Sequence, residues 1–300
     1  MKPGDFVFVD PEGRRVRLEV RPVTKDDLDR YINDLLNTDW EKDEAAMMLN
    51  PSLRLEDVVQ TRMFSATRVF LRYLAEIGGS PLTKLGWMKR KVVAQLLERI
   101  TWAQEYVNPI RHIMKKLDEF DVKPISAVRA VCDVGGLVRK RKNTLIPTRK
   151  GLELCDDSKA GALYRHLFIS MFHRLDLGFL HFGQPTPYLQ WSVPVILWRL
   201  SLVADDWLDM PRLIDETLLP QVQRELAADD FDIGQYVFAG RVLKPLVWFG
   251  LLETHGDPED WRWRVRTAVF RKTPLFDRFL QFWWRPTATP LSVPPDPRFN

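Results

Sequence analysis

Apolar and polar residues alternate at the start of the chain. Val16, Leu18 and Val20 interleave with Arg15, Arg17, Glu19 and Arg21, the period-two pattern of a half-buried strand. FVFVD precedes it across Asp10-Pro11-Glu12-Gly13, a turn sequence, so the chain is predicted to open on a β-hairpin. The period then becomes helical. KDDLDRYINDLL is predicted as a helix capped by Thr24, with Asp26 and Asp27 at the positive end of its dipole. A longer helix is predicted from about Glu56 to Ile77, with Val59, Met63, Phe70 and Leu74 on one face and Gly78-Gly79 ending it.

From Leu82 the elements become shorter. LTKLGWMKRKVVAQLLERI reads as a turn and a helix whose apolar face is Val92, Val93, Leu96, Leu97 and Ile100. NPIRHIMKKLDEF reads as a second helix, with Asn108 as cap and Pro109 in its first turn. ISAVRAVCDVGGLV reads as a third, with Val128, Val131 and Val134 on one side and Gly135-Gly136 as its stop. Leu137 and Val138 then begin a strand, Lys142-Asn143 marks a turn, Leu145 and Ile146 return, and Thr148 caps a short helix. Helix, helix, helix, hairpin, helix is the order of a winged-helix domain, which places Arg139 to Lys142 at the tip of the wing.

The second half repeats the pattern. RVLKPLVWFGLLE parallels ISAVRAVCDVGGLV, and WRWRVRTAVF is predicted as a strand with Arg262, Arg264 and Arg266 on one face and Trp261, Trp263 and Val265 on the other. Thr273-Pro274 then caps a last helix, as Thr148 does earlier. The expected fold class is mainly α with small β-hairpins (α+β): two winged-helix units joined by helices, with an N-terminal β-hairpin. The expected segments are a hairpin and helical brace (1–80), a basic unit (81–156), a helical linker (157–185), a more acidic unit (186–284) and a proline-rich extended tail (285–300).

A chain of 300 residues suits two packed units. Its charge is uneven. Residues 81–150 hold 16 Lys/Arg against 6 Asp/Glu, a net of +10, whereas residues 186–256 hold 5 against 10, a net of −5. The first segment therefore points to a polyanion, and the second to a protein surface or to docking against the first. No apolar run approaches the ~20 residues that span a bilayer, and the N-terminus lacks the pattern of a secretion signal. With only Cys132 and Cys155, a disulfide scaffold and a cysteine zinc site are not expected, and a cytoplasmic location is.

GLVRKRKNTLIPTRKG is similar to the wing of many bacterial winged-helix proteins, which end a helix in "GL" and cap the next with "T-x-x-G". Over about residues 80–285, LTKLGWMKRKVVAQLL, GGLVRKRKNTLIPTRKG, ALYRHLFISMF and KPLVWFGLLE resemble a family of uncharacterised bacterial proteins. Some members carry this region beside plasmid ORF-3-like domains. The family commonly reads "T-x-x-G-N-L" where this chain has Thr83-Lys84-Leu85-Gly86-Trp87-Met88, without the asparagine. The resemblance implies a fold and a mobile-element, regulatory or defence setting rather than a chemistry.

The candidate nucleic-acid-binding residues are Lys84, Lys89, Arg90 and Lys91, then Arg139, Lys140, Arg141, Lys142, Arg149 and Lys150 as phosphate contacts. Ser126 and Arg129 are the base-reading candidates on the third helix. Arg262, Arg264 and Arg266 are the candidates on the second wing. Trp283-Trp284 are the candidates for docking a protein or a second copy; Trp191, Trp198 and Trp248, within apolar stretches, are expected in the core. His166, His173 and His181 show no metal-ligand spacing, Asp205, Asp206 and Asp209 read as a helix start, and no P-loop, dinucleotide turn or nucleophile motif is present. The expectation is a non-enzymatic protein without cofactor or metal that binds duplex DNA through phosphates. The alternative is a tandem winged-helix scaffold that grips a protein.

Overall fold

Thr24 opens the first long helix with a reciprocal cap. Its hydroxyl accepts the Asp27 N–H at 3.2 Å, and the Asp27 carboxylate accepts the Thr24 N–H at 3.2 Å. The computed structural model describes residues 5–9, 15–19, 24–42, 44–108, 116–181, 185–227, 231–256 and 264–284. The expected turn at 10–13, most of the helix expected at 108–120, Trp261, Arg262, Trp263 and the proline-rich tail lie outside the described residues. The chain begins with β1 (Asp5–Val9) and β2 (Arg15–Glu19), antiparallel in the register Asp5↔Glu19 to Val9↔Arg15. Then come α1 (Lys25–Leu36), β3 (Met47–Leu49) and α2 (Leu55–Val58).

The first repeated unit starts earlier than residue 81. α3 (Arg62–Glu76) leads into β4 (Ser80–Pro81), α4 (Arg90–Arg99), α5 (Thr101–Val107), a 3-10 turn at Glu119–Asp121 and α6 (Lys123–Val134). The hairpin of β5 (Val138–Arg141) and β6 (Thr144–Pro147) and the short α7 (Arg149–Leu154) complete it. β4 pairs with β6, so the sheet order is β4-β6-β5. α8 (Ala160–Ile169), extended by a π-helical turn at Ser170–Arg174, follows, with Leu163, Tyr164, Leu167 and Phe168 all buried. A 3-10 turn at Leu177–Phe179 and α9 (Pro187–Trp191) lead to the second unit.

There the order recurs: α10 (Val193–Val203), β7 (Leu208–Asp209), α11 (Met210–Thr217) and α12 (Pro220–Leu226). α13 (Phe231–Phe238) continues through a π-helical turn at Ala239–Leu243 into α14 (Lys244–Trp248). β8 (Leu252–Thr254), β9 (Val269–Lys272) and α15 (Pro274–Phe279) close it, with sheet order β7-β9-β8. β10 (Leu280–Phe282) then pairs with β3, Leu280 opposite Leu49 and Phe282 opposite Met47, which ties the C-terminal unit to the N-terminal brace. The described residues are mainly helical with small antiparallel sheets, and the buried apolar side chains form one continuous cluster through both units.

The repeat extends to individual hydrogen bonds. Gly136 and Gly250 both have φ of +67°, the left-handed conformation that ends a helix at low cost when the residue is glycine. Leu137 N–H donates to Cys132 O at 2.8 Å, and Leu251 N–H to Leu246 O at 2.9 Å. Across each hairpin, the Thr148 hydroxyl donates to Gly136 O at 2.8 Å and that of Thr273 to Gly250 O at 2.7 Å. Thr148 also accepts the Gly151 N–H at 3.1 Å, whereas Thr273 makes no side-chain cap bond to its helix. Thr148→Val is therefore expected to cost about 1–2 kcal/mol and Thr273→Val about 1 kcal/mol. Urea midpoints check this order; equal losses would contradict it.

Four local expectations change. The helix expected from Glu56 to Ile77 is two helices, because Thr61 is extended (φ −76°, ψ 137°) and its hydroxyl bonds Val58 O at 2.8 Å. Asn108, expected as the cap of a following helix, is itself the C-terminal cap of α5, donating its N–H to Gln104 O at 2.9 Å. Of the strand expected over 261–270, the described residues are extended into β9 only from Val269; Val265–Thr267 is a 3-10 turn, and Val265 and Ala268 are buried. Trp198 and Trp248 are in the core, but Trp191 is half exposed and Val134 lies at the surface.

Candidate nucleic-acid interface

The hairpin of the first unit turns in two residues. Lys142 and Asn143 have φ of 45° and 59°, the double left-handed conformation that matches the twist of paired strands. Asn143 tolerates it well; Lys142 adopts it at some cost. The register pairs Lys140 with Leu145, Arg139 with Ile146 and Arg141 with Thr144. Arg139, Lys140, Arg141 and Lys142 are all exposed, and no ion pair among the described residues engages them. β5 is the edge of its sheet, where charge also discourages pairing with other chains. That role alone does not call for four consecutive cations of one sign. On α7, Arg149 pairs with Glu153 at 2.6 Å, while Lys150 is exposed with no ion pair among the described residues.

A second basic element is bonded to this tip. Leu82 N–H donates to Asn143 O, and the Asn143 side-chain amide donates back to Leu82 O, both at 2.9 Å. Leu82 also bridges Met88, closing a tight loop that carries exposed Lys84. Within it, Thr83 N–H donates to Trp87 O at 2.7 Å, and Gly86 turns with φ of +84°. The loop is held from beneath. Arg129 donates to Gly86 O at 2.7 Å and to both Glu119 carboxylate oxygens at 2.8 and 2.6 Å, while Glu119 accepts the Met88 N–H at 2.7 Å. Burial pushes the Glu119 carboxyl above its ordinary range, against the pull of Arg129 and the Met88 amide.

Lys89 caps α4 and Lys91 follows it, both exposed. Arg90 is a different case. It grips Asp118 with two bonds of 2.6 and 2.7 Å, which raise its pKa and lower that of Asp118. Its charge is matched within the chain.

The base-reading residues expected on the third helix do not serve that purpose. Ser126 is buried and its hydroxyl donates to Lys123 O at 3.0 Å. Arg129 is bound to Glu119 and Gly86. α6 itself packs against α3, α5 and the turn at Ser170–Arg174, and an added Cβ at Gly135 would lie 2.6 Å from Ser170 Oγ. A helix covered in this way cannot lie in a major groove. Its sequence carried the signal: Ile125, Ala127, Val128, Val131 and Cys132 cover more of the circumference than one stripe.

Among its described residues, the second hairpin shows no such cationic row. Arg264 and Arg266 are exposed, but Arg264 precedes the 3-10 turn and Arg266 lies within it, so they share no strand face. On the strands, Glu253 pairs with Arg271 at 2.7 Å. Trp284 stacks on Trp198 at 5.8 Å and its carbonyl accepts the Trp198 indole N–H at 3.1 Å, so it belongs to the core edge. Trp283 meets Tyr31 edge-on at 4.8 Å and remains 60% exposed. Among the described residues, no group of three or more His, Cys, Asp or Glu could hold a metal. Asp209 caps α11 and Asp205 pairs with Lys272 at 3.0 Å. His166 bonds Gly135 O at 2.7 Å, and its burial lowers its pKa; His173 stacks on Trp40 at 5.4 Å. Cys132 and Cys155 are free and buried, which pushes both thiols up.

No helix among the described residues is long and apolar enough to cross a membrane. No solved structure matches the chain. Residues 59–160 match the model of a family described as the Y4jL N-terminal domain, an interval that opens just before α3 and closes just after α7. The uncharacterised protein y4jL of Sinorhizobium fredii (strain NBRC 101917 / NGR234) is 30% identical over 89 residues, which is 30% of this chain. The chain spans 40% of the length of that curated relative, and the interval matched by the family model includes the basic hairpin.

Proposed function

We propose that the protein is a tandem winged-helix protein whose first unit binds nucleic acid through backbone phosphates. One observation carries this reading: four consecutive exposed cations on a two-residue hairpin, engaged in no ion pair among the described residues, stand at a tip bonded to the Lys84 loop. The unit runs α3, β4, α4, α5, α6, the β5–β6 hairpin and α7, an order that supports a winged-helix reading in which α6 is the third helix of the expected set. Its third helix is covered, so the wing and the adjoining loop make the contact, and binding depends on phosphate charge more than on base sequence.

A salt series with random duplex DNA tests it. Contacts from Arg139, Lys140, Arg141, Lys142, Lys84 and Lys150 give a log–log slope of roughly −5. Changing Arg139, Lys140, Arg141 and Lys142 to Ala is expected to flatten the slope to about −2. Absence of binding by the unaltered chain at low salt would overturn the reading.

The second unit supports an additional role in gripping a protein. Tyr188 and Trp191 on α9, and Ile233 and Tyr236 on α13, are each more than 40% exposed, and both helices pack on α12. Asp229, Asp230 and Asp232 adjoin Ile233 and Tyr236 in sequence, which suits a protein surface better than a nucleic acid. Tyr188→Ser with Trp191→Ser is expected to abolish retention of that partner and to leave the salt slope with DNA unchanged.

A further inference from the structure

The loop that presents Lys84 also presents a leucine to water. Leu85 is 84% exposed, the most exposed large apolar side chain among the described residues. A single exposed leucine is ordinary. Here the loop is stiff and has an aromatic neighbour. Thr83 N–H to Trp87 O, Gly86 N–H to Thr83 O at 2.9 Å, Trp87 N–H to the Thr83 hydroxyl at 3.1 Å and the Arg129 bond to Gly86 O fix its backbone. Behind it, Trp87 and Phe120 meet edge to face at 6.3 Å, the Arg129 guanidinium lies 5.9 Å from the Trp87 ring centre, and Phe120 is 57% exposed. Leu82, three residues before Leu85, is bonded to Asn143 at the hairpin tip, so Leu85 stands within about 11 Å of the residue that joins its loop to that tip.

Apolar groups set beside a row of cations gain little from a continuous duplex, whose outer surface is phosphate and sugar and whose bases must be unstacked, at a cost, before they can be reached. They gain where base faces are uncovered, by stacking or by wedging between bases, because each stacked base is worth roughly tenfold or more in affinity. We propose that the first unit recognises nucleic acid with unstacked bases next to a phosphate backbone, as at a junction of single and double strand, with Leu85 and Phe120 as the base-contacting groups. This inference rests on the phosphate-binding reading. Charge complementarity with the hairpin argues for nucleic acid over an apolar peptide as the occupant.

The test uses the full chain and three labelled oligonucleotides with equal numbers of phosphates: a blunt duplex, a single strand and a forked duplex with unpaired arms. Fluorescence anisotropy at one salt concentration is expected to rank the fork at least tenfold tighter than the blunt duplex. Leu85→Ser should reduce that preference to about threefold or less and leave duplex affinity and its salt slope unaltered. Phe120→Ser, checked for an unchanged melting temperature, should do the same. Equal binding of fork and duplex by the unaltered chain, or a Leu85→Ser loss equal on all three probes, would overturn the junction proposal alone. Binding to none of the three at low salt would overturn the phosphate-binding reading as well.

Discussion

Glu119→Ala is expected to destabilise the protein by about 3–5 kcal/mol. The carboxylate is 1% exposed and the Arg129 side chain 15% exposed. Alanine would leave a guanidinium charge and the Met88 N–H without their acceptor, and a buried charge left alone costs more than the pair contributes. Glu119→Gln retains an oxygen for one of these donors and should cost about 1–2 kcal/mol. Arg129→Met should also fall short of the alanine variant, because Glu119 can then take up a proton. Its sign with pH is definite. Burial already raises the folded-state pKa of Glu119 above the ordinary 4.5, and removing Arg129 removes a lowering influence. The folded state then holds the proton to higher pH than the unfolded state. The stability of Arg129→Met should therefore be greatest below pH 4.5, fall as pH rises from there through the folded-state pKa, and then level. Urea midpoints for the three variants at two pH values decide the matter; a Glu119→Ala loss below 1 kcal/mol would show that the pair does not hold the loop.

The same pair shows which parts of this molecule were legible in its sequence. The β5–β6 hairpin was legible because its signals are local: a Gly-Gly helix stop, a Lys-Asn turn and a Thr cap lie within 14 residues. The repeat was legible in part: Gly250 again ends a helix and the Thr273 hydroxyl again bonds its carbonyl, but Thr273 does not cap the next helix through its side chain as its sequence position suggests. The start of the first unit was not. α3 reads as a brace in sequence, and only the pairing of Ser80 and Pro81 with β6 shows that it leads into that sheet. Arg129 was misread because a guanidinium on a helix looks the same whether it faces a groove or a buried glutamate ten residues earlier. Whether a cation is free depends on its spatial neighbours: Arg90 is matched by Asp118, 28 residues away, and Lys142 has no such match among the described residues. Leu85 carried no signal of its exposure, because a lone leucine in a short loop has no periodic partners to show which side faces water.

Phe168→Ala is expected to lower stability by about 3–5 kcal/mol and, more informatively, to do so in a single transition. Phe168 lies on α8, in the stretch that reads from sequence as a linker between two units. It is fully buried and touches rings on every side: Phe249 at 5.3 Å and Phe279 at 5.0 Å, both nearly perpendicular, Phe172 at 4.7 Å and Trp40 at 6.1 Å. Phe249 and Phe279 belong to the second unit, Trp40 to the N-terminal brace, and the neighbouring Tyr164 hydroxyl donates to Phe249 O at 2.5 Å. A true linker would carry few such contacts, and its truncation would release one unit from the other without greatly destabilising either. A shared core behaves differently. The cavity left by the ring removes ring contacts from the N-terminal brace, the turn after α8 and the second unit at once, so they should lose stability together. Calorimetry should record a melting temperature lower by roughly 6–12 °C with one peak retained. Two resolved peaks, with only one displaced, would show that the halves fold as separate bodies and that α8 belongs energetically to just one of them.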